Sequence, residues 1–249
     1  MNRARIALAA TAVPLAAHVI PSVVSLGQWA PARALPGGWC RWRGPSTERV
    51  ALTFDDGPDP DDTPRMLDRL DELGLRATFF CLGSLALRHP EVVAETVRRG
   101  HQIGVHGHLH RHHFAATPAW VRDDLRAATD ALGAIGIDPR WYRPPYGQST
   151  GATVWEAHRQ RRRLVLWSVW GREWAEADAG AVADRVNRGL TGGAIVLLHD
   201  TDHCSPAGST ARARDALGPI AEALAARGLR SATLDDLVGA AVPGHDGVV

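Results

Sequence analysis

What most constrains this chain is its rhythm: from residue 49 onward, short apolar runs alternate with longer amphipathic stretches, the pattern of repeated parallel βα units. Residues 50–54 read as a strand. The helix after it has a clear start, with Thr63 as N-cap and Pro64 at the first helical position, and Met66, Leu67, Leu70 and Leu73 give it one apolar face before Gly74 stops it. Residues 77–82 read as the second strand, 91–99 as a helix closed by Gly100, and 102–105 as the third strand. Thr117 and Pro118 repeat the N-cap and proline start, ahead of a helix carrying Val121, Leu125, Ala128 and Leu132. Strands over 164–169 and 194–198 flank a helix near 179–189; a helix over 212–227 and a short strand over 231–234 follow.

A length of 249 residues suits one sizeable core and would cramp two full domains. Hydrophobic residues make up 45% and the formal net charge is +1, which fits a globular fold and excludes a nucleic-acid partner held by charge. All 28 basic residues are Arg. Lysine Schiff-base chemistry and any phosphate loop that needs Lys are therefore excluded. Cys40, Cys81 and Cys204 match neither a paired disulfide framework nor a CxxC knuckle, and Cys81, in an apolar run, is expected to be a buried small hydrophobe. Arg3 and Arg5 precede a stretch over 6–32 without Asp, Glu, Lys or Arg, which reads as a signal peptide or membrane anchor, or else as an apolar segment covering the folded domain. Pro14, His18 and Pro21 interrupt it, and Ala30-Pro31-Ala32 offers a small-x-small cleavage pattern. The expected organisation is a signal or membrane-associated segment over 1–35, a Gly/Pro/Arg-rich linker over 36–48, a catalytic domain over 49–240 and a tail over 241–249.

The unusual residues share one position in this pattern. Asp55-Asp56 follows the first strand, His106 the third, Arg143-Pro144-Pro145-Tyr146 a short Trp-Tyr run, Glu173-Trp174 the 164–169 strand, and His199-Asp200 the 194–198 strand. If the strands are parallel, all five groups meet at the carboxyl edge of one sheet or barrel, where such folds build active sites. Two adjacent carboxylates repel each other, and a divalent cation would relieve them; taken alone, the pair also fits a solvated Asp-Gly turn. His106 and His110, at i and i+4, can place two imidazoles on one face of a helical turn and bind one ion. A catalytic metal site wants three protein ligands and an open position, which Asp56, His106 and His110 provide. His108, His112 and His113 then read as a polar, partly exposed loop.

Thr53-Phe54-Asp55-Asp56-Gly57, His106-x-x-x-His110, Arg143-Pro144-Pro145-Tyr146-Gly147 and Leu197-Leu198-His199-Asp200 occur in the order and approximate spacing of the polysaccharide deacetylase family, carbohydrate esterase family 4, and the chain resembles it over about residues 49 to 235. The resemblance implies an α/β fold, a distorted (β/α) barrel, with an Asp-His-His site for zinc or a similar divalent ion such as cobalt or nickel. By position, Asp55 resembles the general base and Asp56 the metal ligand beside His106 and His110. Arg143 resembles the arginine that orients the base, the backbone N–H of Tyr146 would help stabilise the oxyanion, and His199 resembles the general acid. Trp174 and Leu197 match positions that wall the acetyl pocket. Glu173 stands where the family usually has Asp, keeping the charge on a longer arm beside a partner such as His199. Gly107 replaces the common Ser or Thr.

The implied substrate is an N-acetylated glycan, peptidoglycan, chitin-like or glycolipid, hydrolysed with release of acetate. The implied setting is the cell envelope, secreted or membrane-anchored. A catalytically silent carbohydrate-binding protein and a hydrolase of a non-sugar amide are the competing readings.

Overall fold

The computed structural model describes residues 40–239. The expected leader over 1–35 and tail over 241–249 lie outside the described residues. Among the described residues no helix is long and apolar enough to cross a membrane. The strands are β1 Cys40–Arg41, β2 Arg49–Asp55, β3 Thr78–Cys81, β4 Gln102–Val105, β5 Trp141–Tyr142, β6 Arg163–Val165, β7 Val169–Trp170, β8 Ile195–His199 and β9 Arg230–Ala232. The helices are α1 Asp62–Glu72, α2 Gly83–Arg88, α3 Pro90–Arg98, α4 Pro118–Ala134, α5 Gly151–Arg159, α6 Ala179–Gly189, α7 Ser209–Ala226 and α8 Leu234–Val238.

The strands pair in the order β1-β6-β5-β4-β3-β2-β8-β7, with β9 also against β2, and every pairing is parallel. The run over 164–169, expected as one strand, is two. Its first half pairs with β5 and β1, its second half with β8, at opposite ends of the strand order. Between them Leu166 N–H donates to Arg41 O and Ser168 N–H to Ile195 O. The two ends of the sheet are therefore joined through a few residues, which curls it into the distorted barrel.

Alternation along the strands decides which side chains enter that barrel, because successive residues face opposite sides. Val50, Leu52 and Phe54 of β2 and Val196 and Leu198 of β8 belong to the large outer core, packed with helix residues such as Met66, Leu67, Leu217 and Ile220. Ala51 and Ile195 join Phe80, Trp141 and Val165 in a second cluster inside the barrel, closed at the amino-terminal end of the strands by Leu234 and Leu237 of α8. Thr53, Asp55, Leu197 and His199 share this inward set, and Asp55 is the register partner of His199. Along β2 and β8 the inward polar side chains lie at the carboxyl end.

Two local expectations are corrected. Residues 40–48, expected as a linker, supply β1, bury Trp42 and bridge Arg43 to Ala194. Thr63 does not cap α1, whose N-cap is Asp61; its hydroxyl donates instead to Asp200 Oδ2 at 2.5 Å, a buried carboxylate that needs a donor, while Asp59 Oδ1 accepts from the N–H groups of Asp61 and Asp62 at the helix start. Thr117 does cap α4, accepting from Trp120 N–H. All three cysteines are free, and Cys81 is buried as expected.

Candidate active site

Asp55 ends β2 and Asp56 follows it at φ 80°. That left-handed turn lets two adjacent side chains, which an extended strand would send to opposite faces, enter the same cleft. Both are 2% exposed. Asp55 Oδ1 accepts from Arg143 Nη1 at 2.7 Å, and the same nitrogen donates to Thr53 Oγ1 at 2.8 Å. Arg143 is fully buried, with Nη2 on Leu166 O and its guanidinium 4.2 Å over the Phe80 ring.

His106 Nδ1 lies 2.8 Å from the carbonyl oxygen of Arg143. A carbonyl can only accept, so Nδ1 carries the hydrogen and Nε2 presents a lone pair. That lone pair faces Asp56 Oδ1 at 3.3 Å, and His110 Nε2 faces the same oxygen at 3.2 Å. His106 Nε2 and Asp56 Oδ1 are both acceptors and need a cation or a proton between them. Asp56 Oδ1 is buried without a hydrogen-bond partner, and the donor atoms of Asp56, His106 and His110 lie within 4.8 Å of one another, so this donor set fits a divalent metal. Burial opposes ionisation of Asp56, but the close approach of His106 and the influence of the surrounding imidazoles hold it well below the usual carboxylate range. Burial pulls His110 down to about 4, against the opposing pull of Asp56, so its imidazole is neutral at pH 7, the form that can bind a metal.

The two histidines are not on a helical turn. The segment from His106 to His110 is irregular, with Gly107 at φ +91°, and i, i+4 spacing brings the rings to 5.3 Å by a loop path instead. His113, expected on a partly exposed loop, is fully buried, with Nδ1 3.0 Å from Thr153 Oγ1. His112 is exposed and stacks on Tyr146 at 3.7 Å.

His199, at the end of β8, has Nδ1 2.6 Å from Glu173 Oε1 and Nε2 3.9 Å from Asp56 Oδ2. Burial would lower its pKa, but Glu173, Asp56 and Asp55 outweigh burial and raise it to about 10. Trp174 stands edge-on to His199 at 5.4 Å. Asp55, Asp56, His106, His110, Tyr146, Trp174, Leu197 and His199 all line one open pocket. Sequence reasoning missed part of its wall. Trp167 sits in the break between β6 and β7, and Cys204, Ser205 and Pro206 come from the loop after β8, where no periodicity marks them. Trp170 bridges Trp167 and Trp174 at 5.3 and 5.0 Å.

Residues 43–165 match the family model described as polysaccharide deacetylase. A peptidoglycan-N-acetylglucosamine deacetylase of Bacillus cereus is 32% identical over 209 residues, covering 82% of this chain and 94% of its own length. A chitooligosaccharide deacetylase of Bradyrhizobium sp. is 34% identical over 199 residues, covering 77% of this chain and 91% of its own. The crystal structure of the Bc1960 peptidoglycan N-acetylglucosamine deacetylase superposes with a TM-score of 0.74 at 31% identity, covering 80% of this chain and 92% of that one. Motifs, fold and relatives agree: the chain belongs to the polysaccharide deacetylase family, enzymes that hydrolyse N-acetyl amide bonds.

Proposed function

We propose that this protein is a metal-dependent hydrolase that removes N-acetyl groups from an amino-sugar polymer of the cell envelope, peptidoglycan or a chitin-like oligosaccharide, releasing acetate. The observation that carries this reading is the convergence of His106 Nε2 and His110 Nε2 on Asp56 Oδ1, at 3.3 and 3.2 Å, beside Asp55 and His199 in one pocket. One carboxylate and two imidazoles suit zinc, and the same donors suit cobalt or nickel. The relatives named for peptidoglycan and chitooligosaccharide deacetylation support the substrate class.

A bound divalent cation would polarise the amide carbonyl and acidify the attacking water. Asp55 accepts that water's proton through Oδ2, the oxygen that Arg143 does not hold, 3.8 Å from His106 Nε2. The backbone N–H of Tyr146 donates to the oxygen on which negative charge develops. Trp174 and Leu197 flank the acetyl methyl group. His199, kept protonated by the buried carboxylate of Glu173, donates a proton to the departing amine nitrogen. Water and the N-acetyl amide thus become acetate and a free amine.

The test is acetate release from peptidoglycan and from acetylated chitooligosaccharides by Zn2+-supplemented protein, with Asp55→Asn as control. Release by wild type and not by the variant is the expected result. Glycan binding without acetate from any substrate would identify a silent carbohydrate-binding protein. Turnover of small N-acyl amides alone would identify a non-sugar amidase.

A further inference from the structure

The segment carrying His106 and His110 belongs to neither helix nor strand, so its backbone groups must find partners elsewhere. The carbonyls of Gly107 and His108 accept from the N–H groups of Gly83 and Ser84, at the start of α2, at 2.9 and 3.2 Å. Two N–H groups of the same stretch go to one side chain. Asp124, in the middle of α4, accepts from His108 N–H through Oδ2 and from Leu109 N–H through Oδ1, both at 2.9 Å. It is buried on the helix face that otherwise holds Val121, Leu125 and Ala128. Gly107 is fitted to it: its φ is +91°, and a Cβ there would stand 2.8 Å from Asp124 Oδ2. A carboxylate approaches the loop this closely only where residue 107 has no side chain.

We propose that Asp124 and Gly107 act as one unit that sets the separation of His106 and His110, which makes Asp124 a positioning residue for metal binding. The inference rests on the metal-site reading given above. Two charge-assisted hydrogen bonds to consecutive N–H groups hold the loop between its two imidazoles, so both reach the cation without an ordering cost at the moment of binding. Without them two partly buried N–H groups lose their acceptor and the rings spread over other positions, although the donor atoms are chemically intact. Outer partners of metal ligands typically carry 10- to 100-fold in metal affinity.

The experiment is titration of the full chain with Co2+, following affinity and the visible absorption band, with thermal melting of each metal-free variant in parallel. Asp124→Asn keeps the shape of the side chain and should bind Co2+ about 10- to 100-fold more weakly with an altered band. Leu125→Val, one residue away and also buried, should lower the melting temperature and leave affinity and band as in wild type. Gly107→Ser and Asp124→Ala should each weaken binding, and the two combined should lose less than the product of the separate losses. Wild-type affinity and band in Asp124→Asn overturn the positioning role, and multiplicative losses overturn the coupling. Failure of the wild-type protein to take up one Co2+ would instead remove the metal site itself, a result distinct from either.

Discussion

Oε1 of Glu173 lies 2.6 Å from Nδ1 of His199, and the carboxylate is fully buried behind the imidazole. The family resemblance leads to the expectation of an aspartate here, and the glutamate arm is one methylene longer. The Glu173 backbone is itself tied down, with Arg212 Nε donating to Glu173 O at 2.8 Å. The pair orients His199: Nδ1–H donates to the carboxylate, so Nε2 faces the pocket, and it carries a hydrogen there only while the ring is protonated.

The contact has a pH signature. An acid works only while protonated, and Glu173 is the largest of the influences that raise His199 to about 10. Replacing Glu173 with Gln removes that carboxylate, returns the imidazole toward its ordinary value, and moves the alkaline limb of kcat/KM to lower pH. At pH 8 the loss should be about 10²-fold, the low end of what a positioned acid contributes. An alkaline limb that stays where it is in wild type would separate Glu173 from the proton transfer.

Arg143 gives a second expectation. One guanidinium serves Asp55, Thr53 and the Leu166 carbonyl together. A lysine ammonium on a flexible stem cannot reproduce that planar fork. Arg143→Lys should lower kcat about 10²-fold with little change in KM, because the base loses its orientation while the pocket keeps its walls. Arg143→Ala should in addition destabilise the fold by roughly 3–5 kcal/mol, since it leaves the Asp55 carboxylate buried without its counter-charge. Wild-type kcat in the lysine variant would contradict the assignment.

Metal content tests the ligands directly. His106→Ala or His110→Ala should lose stoichiometric metal, as measured on dialysed protein by elemental analysis. Added Zn2+ at about a hundred times its Kd stabilises a binding protein by roughly 2.7 kcal/mol, so the wild-type melting temperature should rise by several degrees and those of the variants should not. Unchanged metal content in both variants would take the histidines out of the site.

Much of this arrangement is legible in the sequence for a simple reason: strand alternation is local. Once β2 and β8 are recognised, Thr53 and Asp55 must share a face, as must Leu197 and His199, and parallel pairing sends both ends to the same edge. What resisted reading depends on partners far along the chain. The run over 164–169 is apolar except for Ser168, and its two different neighbours, β5 and β8, break it. Thr63 looks like a helix cap until Asp200 claims its hydroxyl. The i, i+4 spacing of His106 and His110 suits a helix, yet Gly107 and the acceptors of Asp124 make it a loop. Asp124 left one visible trace, a carboxylate on the apolar stripe of Val121, Leu125 and Ala128, and a charge on such a stripe is informative because it must be satisfied there.

Acid stability should depend in part on a histidine away from the candidate metal site. His101 is 4% exposed, packs edge-on against Phe79, and uses Nδ1 to accept from Ala77 N–H. Burial, helped by Arg76, lowers its pKa to about 4. In the unfolded chain the same imidazole takes up a proton near pH 6.5. Between these values the unfolded state binds more protons than the folded one, so stability must fall as pH drops from about 6.5 toward 4 and level off below, once both states are protonated. His101→Gln, which keeps an acceptor for Ala77 N–H but does not titrate, should melt lower than wild type at pH 7.5 and narrow the gap steadily toward pH 5. Two melting curves that run parallel across that range would mean that His101 is already protonated in the folded protein, or that its charge costs nothing where it sits.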